Sequence, residues 1–340
     1  MQLNPLKLPK EYLLLLIATI VPIVDLISPN LLDLTTTLRP IIVFSLLALG
    51  LNIVTGSTGL LHLGVSGFMA IGAYAYAISS CDIYPFQFGF WGSLIVAAAI
   101  GGLIGLFLGF PTLRLRGDYL AIVTLGFGEI LQDVIRNLDL ITKGTQGINP
   151  LPTPSLFSIQ LTSNDGVIWY YLYLAILSGV VFINRNLLTS RIGRSFVAVR
   201  EDELAASCMG VPTVRVKLQA FTIGAAICSL AGALWACHLG STGEPGNFDF
   251  QISIITLCIV IVGGLGSISG VLLGAIIVIG FNSIVLVKLS QILADAGWVS
   301  SGDVFLTPNN WKYAVFGLAL ILMMRVKPDG LIPYSSRRKG

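Results

Sequence analysis

Charged side chains are scarce in this sequence, and their scarcity predicts which solvent surrounds the protein. Only 11% of the 340 residues are Asp, Glu, Lys or Arg, against about 25% in an ordinary globular domain. Apolar residues make up 55% of the chain, and the mean hydropathy is +0.86. A water-facing surface needs more polar side chains than this chain has, so the sequence predicts a protein embedded in lipid.

Several chemical signatures are also missing from the sequence. No Gly-Lys dipeptide occurs, which excludes a phosphate-cradling Walker A loop in this chain. There is no HExxH or GxSxG motif, and the five cysteines show no CxxC spacing. The balance of 20 basic and 17 acidic residues gives no basic stripe for nucleic acid. We therefore expect no catalytic residue, metal or cofactor on this chain and no nucleic-acid partner.

Long apolar runs predict the architecture. A helix needs about 20 mostly apolar residues to cross the hydrocarbon layer of a membrane, and ten such segments lie between clusters of turn-forming or charged residues. The segment at 60–80 is rich in glycine and either spans the membrane or re-enters it. The ten predicted segments are 12–28, 39–55, 60–80, 89–110, 119–137, 167–184, 217–239, 250–264, 270–288 and 311–325.

The distribution of basic residues gives an orientation for these segments. Cytoplasmic loops of membrane proteins collect Lys and Arg, and with a cytoplasmic N-terminus 15 of the 20 basic residues fall on the cytoplasmic side. The sequence therefore predicts an all-α integral membrane protein with about ten transmembrane helices and both termini in the cytoplasm. We expect a single transmembrane domain over 1–340, with a cytoplasmic loop at 185–217. The 15 residues are Lys7, Lys10, Arg114, Arg116, Arg185, Arg191, Arg194, Arg200, Arg215, Lys217, Arg325, Lys327, Arg337, Arg338 and Lys339.

The cytoplasmic loop contains the signals of a short exposed helix. Asp202 and Glu203 suit a first helical turn, where the helix dipole favours anions. Gly210 stands where a left-handed C-terminal cap is expected, and Pro212 prevents further helix. Two interpretations follow from these residues. The helix lies on anionic lipid through its arginines, or it docks in a groove of a cytoplasmic partner with Leu204 and Met209 as anchors.

A resemblance to a known family favours the docked helix. Its spacing of Glu203, Ala205, Ala206 and Gly210 resembles the ATPase-contacting EAA loop of ABC importer permeases. Further blocks, in the right order, resemble the LivM-type permease of branched-chain amino acid ABC importers. These blocks are Leu47–Asn52, Gly72–Tyr74, Leu113–Ile130, Ser190–Arg194 and Gly263–Ser267.

The resemblance implies a permease subunit, not an enzyme, in a bacterial inner membrane. Permeases of that family pair with a LivH-type second permease, two ATP-binding subunits that use ATP and Mg²⁺, and a periplasmic solute-binding protein. The solute it implies is a branched-chain or other amino acid, and urea or a short amide is the alternative. The chain departs from the family at 62–66 and 142–147, so the identity of the solute stays open. The choice between heterodimeric and homodimeric pairing of the permeases also stays open. The coupling residues it implies are Arg191, Gly193, Arg194, Arg200, Glu201, Asp202, Glu203, Ala205, Ala206, Met209 and Gly210.

Four polar residues within the apolar segments are candidates for the solute path: Asn52, His62, Glu129 and Asp133. Ionisable groups at membrane depth are costly and often functional. Glu129 is in the middle of its segment, and Asp133 follows one helical turn later. These groups either line the path or pack between helices. The acidic pair also keeps an ion-coupled secondary transporter as a less favoured alternative.

Overall fold

A computed structural model describes residues 10–27, 34–112, 118–156, 159–160, 166–290 and 311–333. Within these ranges the elements are almost all helices. The exception is a short antiparallel pair of two-residue strands, β1 (Ser155–Leu156) and β2 (Ile159–Gln160). The α-helices are α1 (Lys10–Ile27), α2 (Leu34–Leu51), α3 (Val65–Ser80), α4 (Gly89–Thr112), α5 (Asp118–Asn137), α6 (Asp139–Thr142), α7 (Gly166–Thr189), α8 (Arg191–Glu201), α9 (Glu203–Cys208), α10 (Thr213–Leu239), α11 (Phe250–Gly263), α12 (Ile268–Gly280) and α13 (Lys312–Val326).

Two of the helices continue as π-helix. Asn52–Ser57 extends α2, and Phe281–Leu286 extends α12. With these extensions, six helices in the described ranges are long and apolar enough to cross a membrane. They are Thr35–Ser57, Gly89–Pro111, Gly166–Thr189, Thr213–Leu239, Pro245–Gly263 and Ile268–Ser290. Shorter apolar helices lie in α1, α3 and α13. The prediction of a helical, multi-pass membrane protein is therefore confirmed, with six helices that meet the length and hydropathy of a span where ten were predicted.

Each predicted segment coincides with a helix, but several boundaries differ: α2 begins at Leu34 rather than at the predicted residue 39. The third segment was predicted to begin at residue 60, whereas α3 begins at Val65 after a non-helical link through Gly59, whose φ is +72°. The predicted loop at 185–217 is shorter, because α7 continues to Thr189 and α10 begins at Thr213. Lys7, Arg114, Arg116 and 337–339, which contributed to the charge argument, lie outside the described residues.

Helix α10 lies at the centre of the fold and packs against α2, α3 and α4. Small residues permit this packing, because helices in lipid associate through close contact of their backbones. A Cβ at Gly72 in α3 would overlap the carbonyl oxygen of Ser229 in α10. In α4, Gly101 faces Ser229 of α10, and Gly105 faces Ala225 of α10. The glycines therefore bring two helices, α3 and α4, into direct contact with α10.

The ends of the helices form two faces. One, the α8–α9 face, contains α8, α9, the link after Ser57, the turn at 264–267 and residues 327–333. The opposite face contains 81–88, 138–151 and 240–249, which hold one another through main-chain bonds such as Leu151 N to Gly240 O at 2.9 Å. Partial burial raises the pKa of Tyr84 on this face, so its hydroxyl stays protonated and donates to the Ile141 carbonyl.

Candidate functional site

The segment between α7 and α10 folds as two helices rather than one. Helix α8 begins after Ser190, whose Oγ accepts a hydrogen bond from Gly193 N at 3.3 Å. It ends at Asp202, which is extended, with φ −158°. The Oδ1 atom of Asp202 then accepts from Leu204 N at 2.8 Å and Ala205 N at 3.0 Å. Asp202 is therefore the N-cap of α9, since it satisfies amide groups that have no partner within the helix.

Helix α9 ends as the sequence predicts. Gly210 follows the helix with φ +82°, in the region that favours glycine. Met209 N donates to Ala205 O at 3.0 Å and Gly210 N to Ser207 O at 3.0 Å, which closes the last turn. After Pro212 the chain starts α10. The short exposed helix predicted from these residues is confirmed.

The two helices bury one side and expose the other. Gly193, Phe196, Val199 and Ala206 point into the protein, and a side chain at Gly193 would overlap carbonyl oxygens at the end of α7. Large apolar side chains lie on the outer side, where Leu204 is 74% and Met209 is 84% exposed. The predicted coupling residues that are also exposed are Arg191, Arg194, Arg200, Glu201, Asp202, Ala205 and Gly210.

Glu203 is held within the protein by a lysine that sequence analysis did not identify as its partner. Lys217 Nζ lies 2.6 Å from Glu203 Oε1, and the side chains are 4% and 36% exposed, respectively. The pair joins α9 to the second turn of α10. A lysine near the margin of an apolar run was the available signal, because a buried ammonium group needs an anionic partner.

A second contact joins α8 to the end of the α2 extension. Arg200 Nη1 donates to the carbonyl oxygen of Gly56 at 2.6 Å. Asn52, at the start of the same π-helical segment, accepts at Oδ1 from Gly266 N at 2.8 Å. Asn52 is 2% exposed, so this candidate path residue faces the helix packing in this structure.

His62 is also buried. Its ring lies between Phe68 and Phe221, with ring centroids 5.6 Å and 5.4 Å away. Its Nδ1 has no hydrogen-bond partner in the described part of the chain. The next residue, Leu63, donates its amide to Thr124 Oγ1 in α5 at 3.0 Å. The link that carries His62 is therefore fixed against α5, without an opening to solvent at the imidazole.

Glu129 and Asp133 lie on the outer side of α5. Both side chains are exposed, and the same side presents the exposed apolar residues Tyr119, Ile122 and Ile130. Asp133 does not pair with Glu129 but lies 3.5 Å from Arg136 on the next turn. The other side of α5 is buried and is held by Gln132, whose Nε2 donates to Phe248 O at 2.8 Å. The four candidate path residues are therefore divided between buried and exposed positions.

No three His, Cys, Asp or Glu side chains are grouped so as to hold a metal ion anywhere in the ranges that the structure describes. The polar groups of the α8–α9 face instead form hydrogen bonds and ion pairs between elements.

Comparison with known proteins identifies relatives along most of the chain. The family model for the permease component of branched-chain amino acid transport systems matches residues 34–324. The chain is 38% identical over 314 residues to the high-affinity branched-chain amino acid transport system permease protein LivM of Salmonella typhimurium, covering 86% of this chain and 68% of that protein. It is 27% identical over 310 residues to LivH of the same organism, covering 85% and 91%. No solved structure matches the chain.

Proposed function

The chain belongs to the permease component family of branched-chain amino acid transport systems, and we propose that it imports branched-chain or other amino acids by using ATP hydrolysed on partner subunits. It is a permease subunit of the ABC transporter type, as its relatives are. The two ATP-binding subunits and a solute-binding protein are part of the proposal. The absence of any Gly-Lys dipeptide from the 340 residues supports hydrolysis on another chain.

Two exposed apolar residues, Leu204 in α9 and Met209 directly after it, are the observation that carries this proposal. Both lie on a short helical segment outside the six apolar spans. Water-exposed residues of this size on a rigid, capped helix fit a groove in a protein partner. The acidic neighbours Glu201 and Asp202 are exposed and would be repelled by anionic lipid. A docking helix therefore accounts for α9 better than a helix lying on the membrane surface.

The proposed coupling residues divide by their contacts. Gly193 and Ala206 are buried. Their small size sets how closely α8 and α9 pack on the neighbouring helices, and Gly193 lies against the end of α7. Asp202 shapes α9 as its cap, and Arg200 and Glu203 hold the segment to the protein. We assign contact with the ATPase to Leu204 and to the exposed coupling residues Arg191, Arg194, Glu201, Ala205, Met209 and Gly210.

We place the α8–α9 face in the cytoplasm and the opposite face in the periplasm of a bacterial inner membrane. Arg185, Arg191, Arg194 and Arg215 on the first face support this orientation. The proposal includes ten crossings, both termini in the cytoplasm, and one domain over 1–340 in which 185–217 is the coupling region. Ten crossings need four helices beyond the six that are apolar enough by themselves.

We propose that the solute passes along α5. The exposed carboxylates of Glu129 and Asp133 would be costly against lipid, so the outer side of α5 belongs against a second permease or a water-filled path. The similarity to both LivM and LivH fits a system of two permeases. The buried positions of Asn52 and His62 favour indirect roles in shaping that path.

Leu204→Asp tests the coupling role of α9. The variant places a charge where we expect an apolar contact, so ATPase co-purification and leucine uptake into proteoliposomes should fall together. A loss of about 1.4 kcal/mol of binding free energy corresponds to a roughly tenfold fall. Val214→Asp, also more than half exposed but on α10, is the matched control. The coupling role would be refuted by normal transport in Leu204→Asp, and a membrane-surface helix would then explain α9.

A further inference from the structure

The π-helical segment Asn52–Ser57 is held by two parts of the chain that are distant in sequence. Arg200 Nη1 from α8 donates to Gly56 O at 2.6 Å. Gly266 N, in the turn between α11 and α12, donates to Asn52 Oδ1 at 2.8 Å. Six residues therefore join the coupling region to a helical hairpin. π-Helical turns are rare in proteins and occur frequently at functional sites.

The arginine contact is shaped on both sides. The last carbonyls of a helix have no intrahelical partner, and the helix dipole favours a cation there. Gly59 has a φ of +72°, and an ideal Cβ at this residue would lie 3.3 Å from Arg200 Cγ. The stem of Arg200 thus lies on the link while its guanidinium reaches Gly56. A charged hydrogen bond of this kind is among the stronger ones in proteins.

The contact at the other end of the segment is shielded from water. Asn52 is 2% exposed, and a side chain at Gly56 would overlap both Asn52 Oδ1 and Gly266 N. Glycine at 56 therefore allows the asparagine, its own helix and the 264–267 turn to meet. Movement of Asn52–Ser57 away from or toward the 264–267 turn must therefore displace Gly266 or break the buried hydrogen bond from Gly266 N to Asn52 Oδ1.

We propose that Arg200 is a positioning residue, which transmits displacement of α8 and α9 through Asn52–Ser57 to the turn between α11 and α12. The inference rests on the proposed function, because the displacement comes from ATPase subunits docked on α9. Only Asp202 separates α8 from α9, so the two helices move together. Arg200 then displaces Gly56, and Asn52 carries the movement to Gly266.

Arg200→Gln tests the link in proteoliposomes of the full complex. We expect a roughly tenfold fall in leucine transported per ATP hydrolysed, a ratio that compares transport with hydrolysis in the same sample. Arg200→Lys keeps the charge but loses the planar fork, so an intermediate fall is expected. Arg215→Gln, an exposed arginine at the start of α10, is the control and should keep the wild-type ratio.

A reversible covalent link provides a second measurement. An ideal Cβ at Gly59 would lie 3.8 Å from Arg200 Cβ, within the range of about 3.5–4.5 Å found in disulfides. Gly59→Cys with Arg200→Cys, in a Cys208→Ser background, should be uncoupled when reduced and regain transport per ATP when oxidised with copper phenanthroline. Gly59→Cys alone reports any strain at the positive φ.

The outcomes separate the role of Arg200 from the proposed function. Wild-type transport per ATP in Arg200→Gln would overturn the transmission through Arg200 and leave the permease proposal standing. Uncoupling that the formed disulfide does not reverse would do the same. A wild-type complex in which the binding protein stimulates no ATP hydrolysis would overturn the proposed function and the link with it. Recovery of coupling on oxidation, lost again on reduction, is the result expected.

Discussion

At the scale of single residues, the ion pair between Glu203 and Lys217 changes the role expected for the glutamate. The sequence motif predicts a contact with an ATPase, whereas Glu203 Oε1 lies 2.6 Å from a lysine of the same chain. Lys217 is almost fully buried, and Glu203 is partly exposed. The two residues therefore depend on each other unequally, because an unpaired buried charge is the more costly one.

The pair predicts an asymmetric effect on stability. Glu203→Gln leaves the buried Lys217 ammonium without its anion and should lower the free energy of unfolding by about 1–3 kcal/mol. Lys217→Met removes the buried charge and keeps a similar shape, so its loss should be smaller. Thermal unfolding of the detergent-solubilised protein measures both effects. The double variant should be more stable than Glu203→Gln, and an equal loss in both single variants would contradict the asymmetry.

At the scale of elements, α5 differs from the other long helices. Four charged residues, Asp118, Glu129, Asp133 and Arg136, lie along its 20 residues, and it is not among the six helices that are long and apolar enough to cross a membrane. Its inner side is fixed by Gln132 to the 240–249 segment and by Thr124 to the link after Gly59. The exposed carboxylates are therefore presented by a helix held at two points along its length, in agreement with the solute path proposed along α5.

Glu129→Gln tests this view of α5. The amide keeps the size of the side chain but loses the charge that attracts an ammonium group, so leucine uptake should fall by roughly tenfold, or about 1.4 kcal/mol. The amount of protein in the membrane should not change, because the side chain is exposed. Asp82→Asn, on the exposed 81–88 loop, is the control. Wild-type uptake by Glu129→Gln would remove the glutamate from the path.

At the scale of the whole molecule, α10 connects the two faces. It begins beside Glu203 on the α8–α9 face and ends beside the 240–249 segment. Its 27 residues span about 40 Å at the rise of an α-helix, which is enough to cross a bilayer. Helices α2, α3 and α4 pack closely around it, so α10 is the helix that the three share as a common neighbour.

The orientation of the molecule can be measured in intact cells. In a Cys208→Ser background, Met209→Cys and Leu140→Cys each introduce a thiol at a strongly exposed position, on the α8–α9 face and the opposite face respectively. A membrane-impermeant maleimide should label position 140 and leave position 209 protected until the cells are lysed. Labelling of position 209 in intact cells would reverse the orientation proposed here.

The sequence by itself determined where the helices lie and how α9 begins and ends. Apolar runs and turn-forming residues act over a few neighbours, so the ten predicted segments coincide with helices, and Gly210 adopts the left-handed conformation expected of a cap. The same local rules missed the start of α3. The link before Val65 is partly buried, with Leu60, Leu61 and Leu63 half-buried, and partial burial allows apolar residues in a segment that is not helical.

Only the tertiary structure decided which polar groups meet. Arg200 and Gly56 are 144 residues apart, and Asn52 and Gly266 are 214 apart. Hydropathy predicted that Glu129 and Asn52 both lie at depth, but packing exposes the first and buries the second. The physical reason is that helix formation depends on neighbours in sequence, whereas the side of a helix that becomes buried depends on which other helices pack against it.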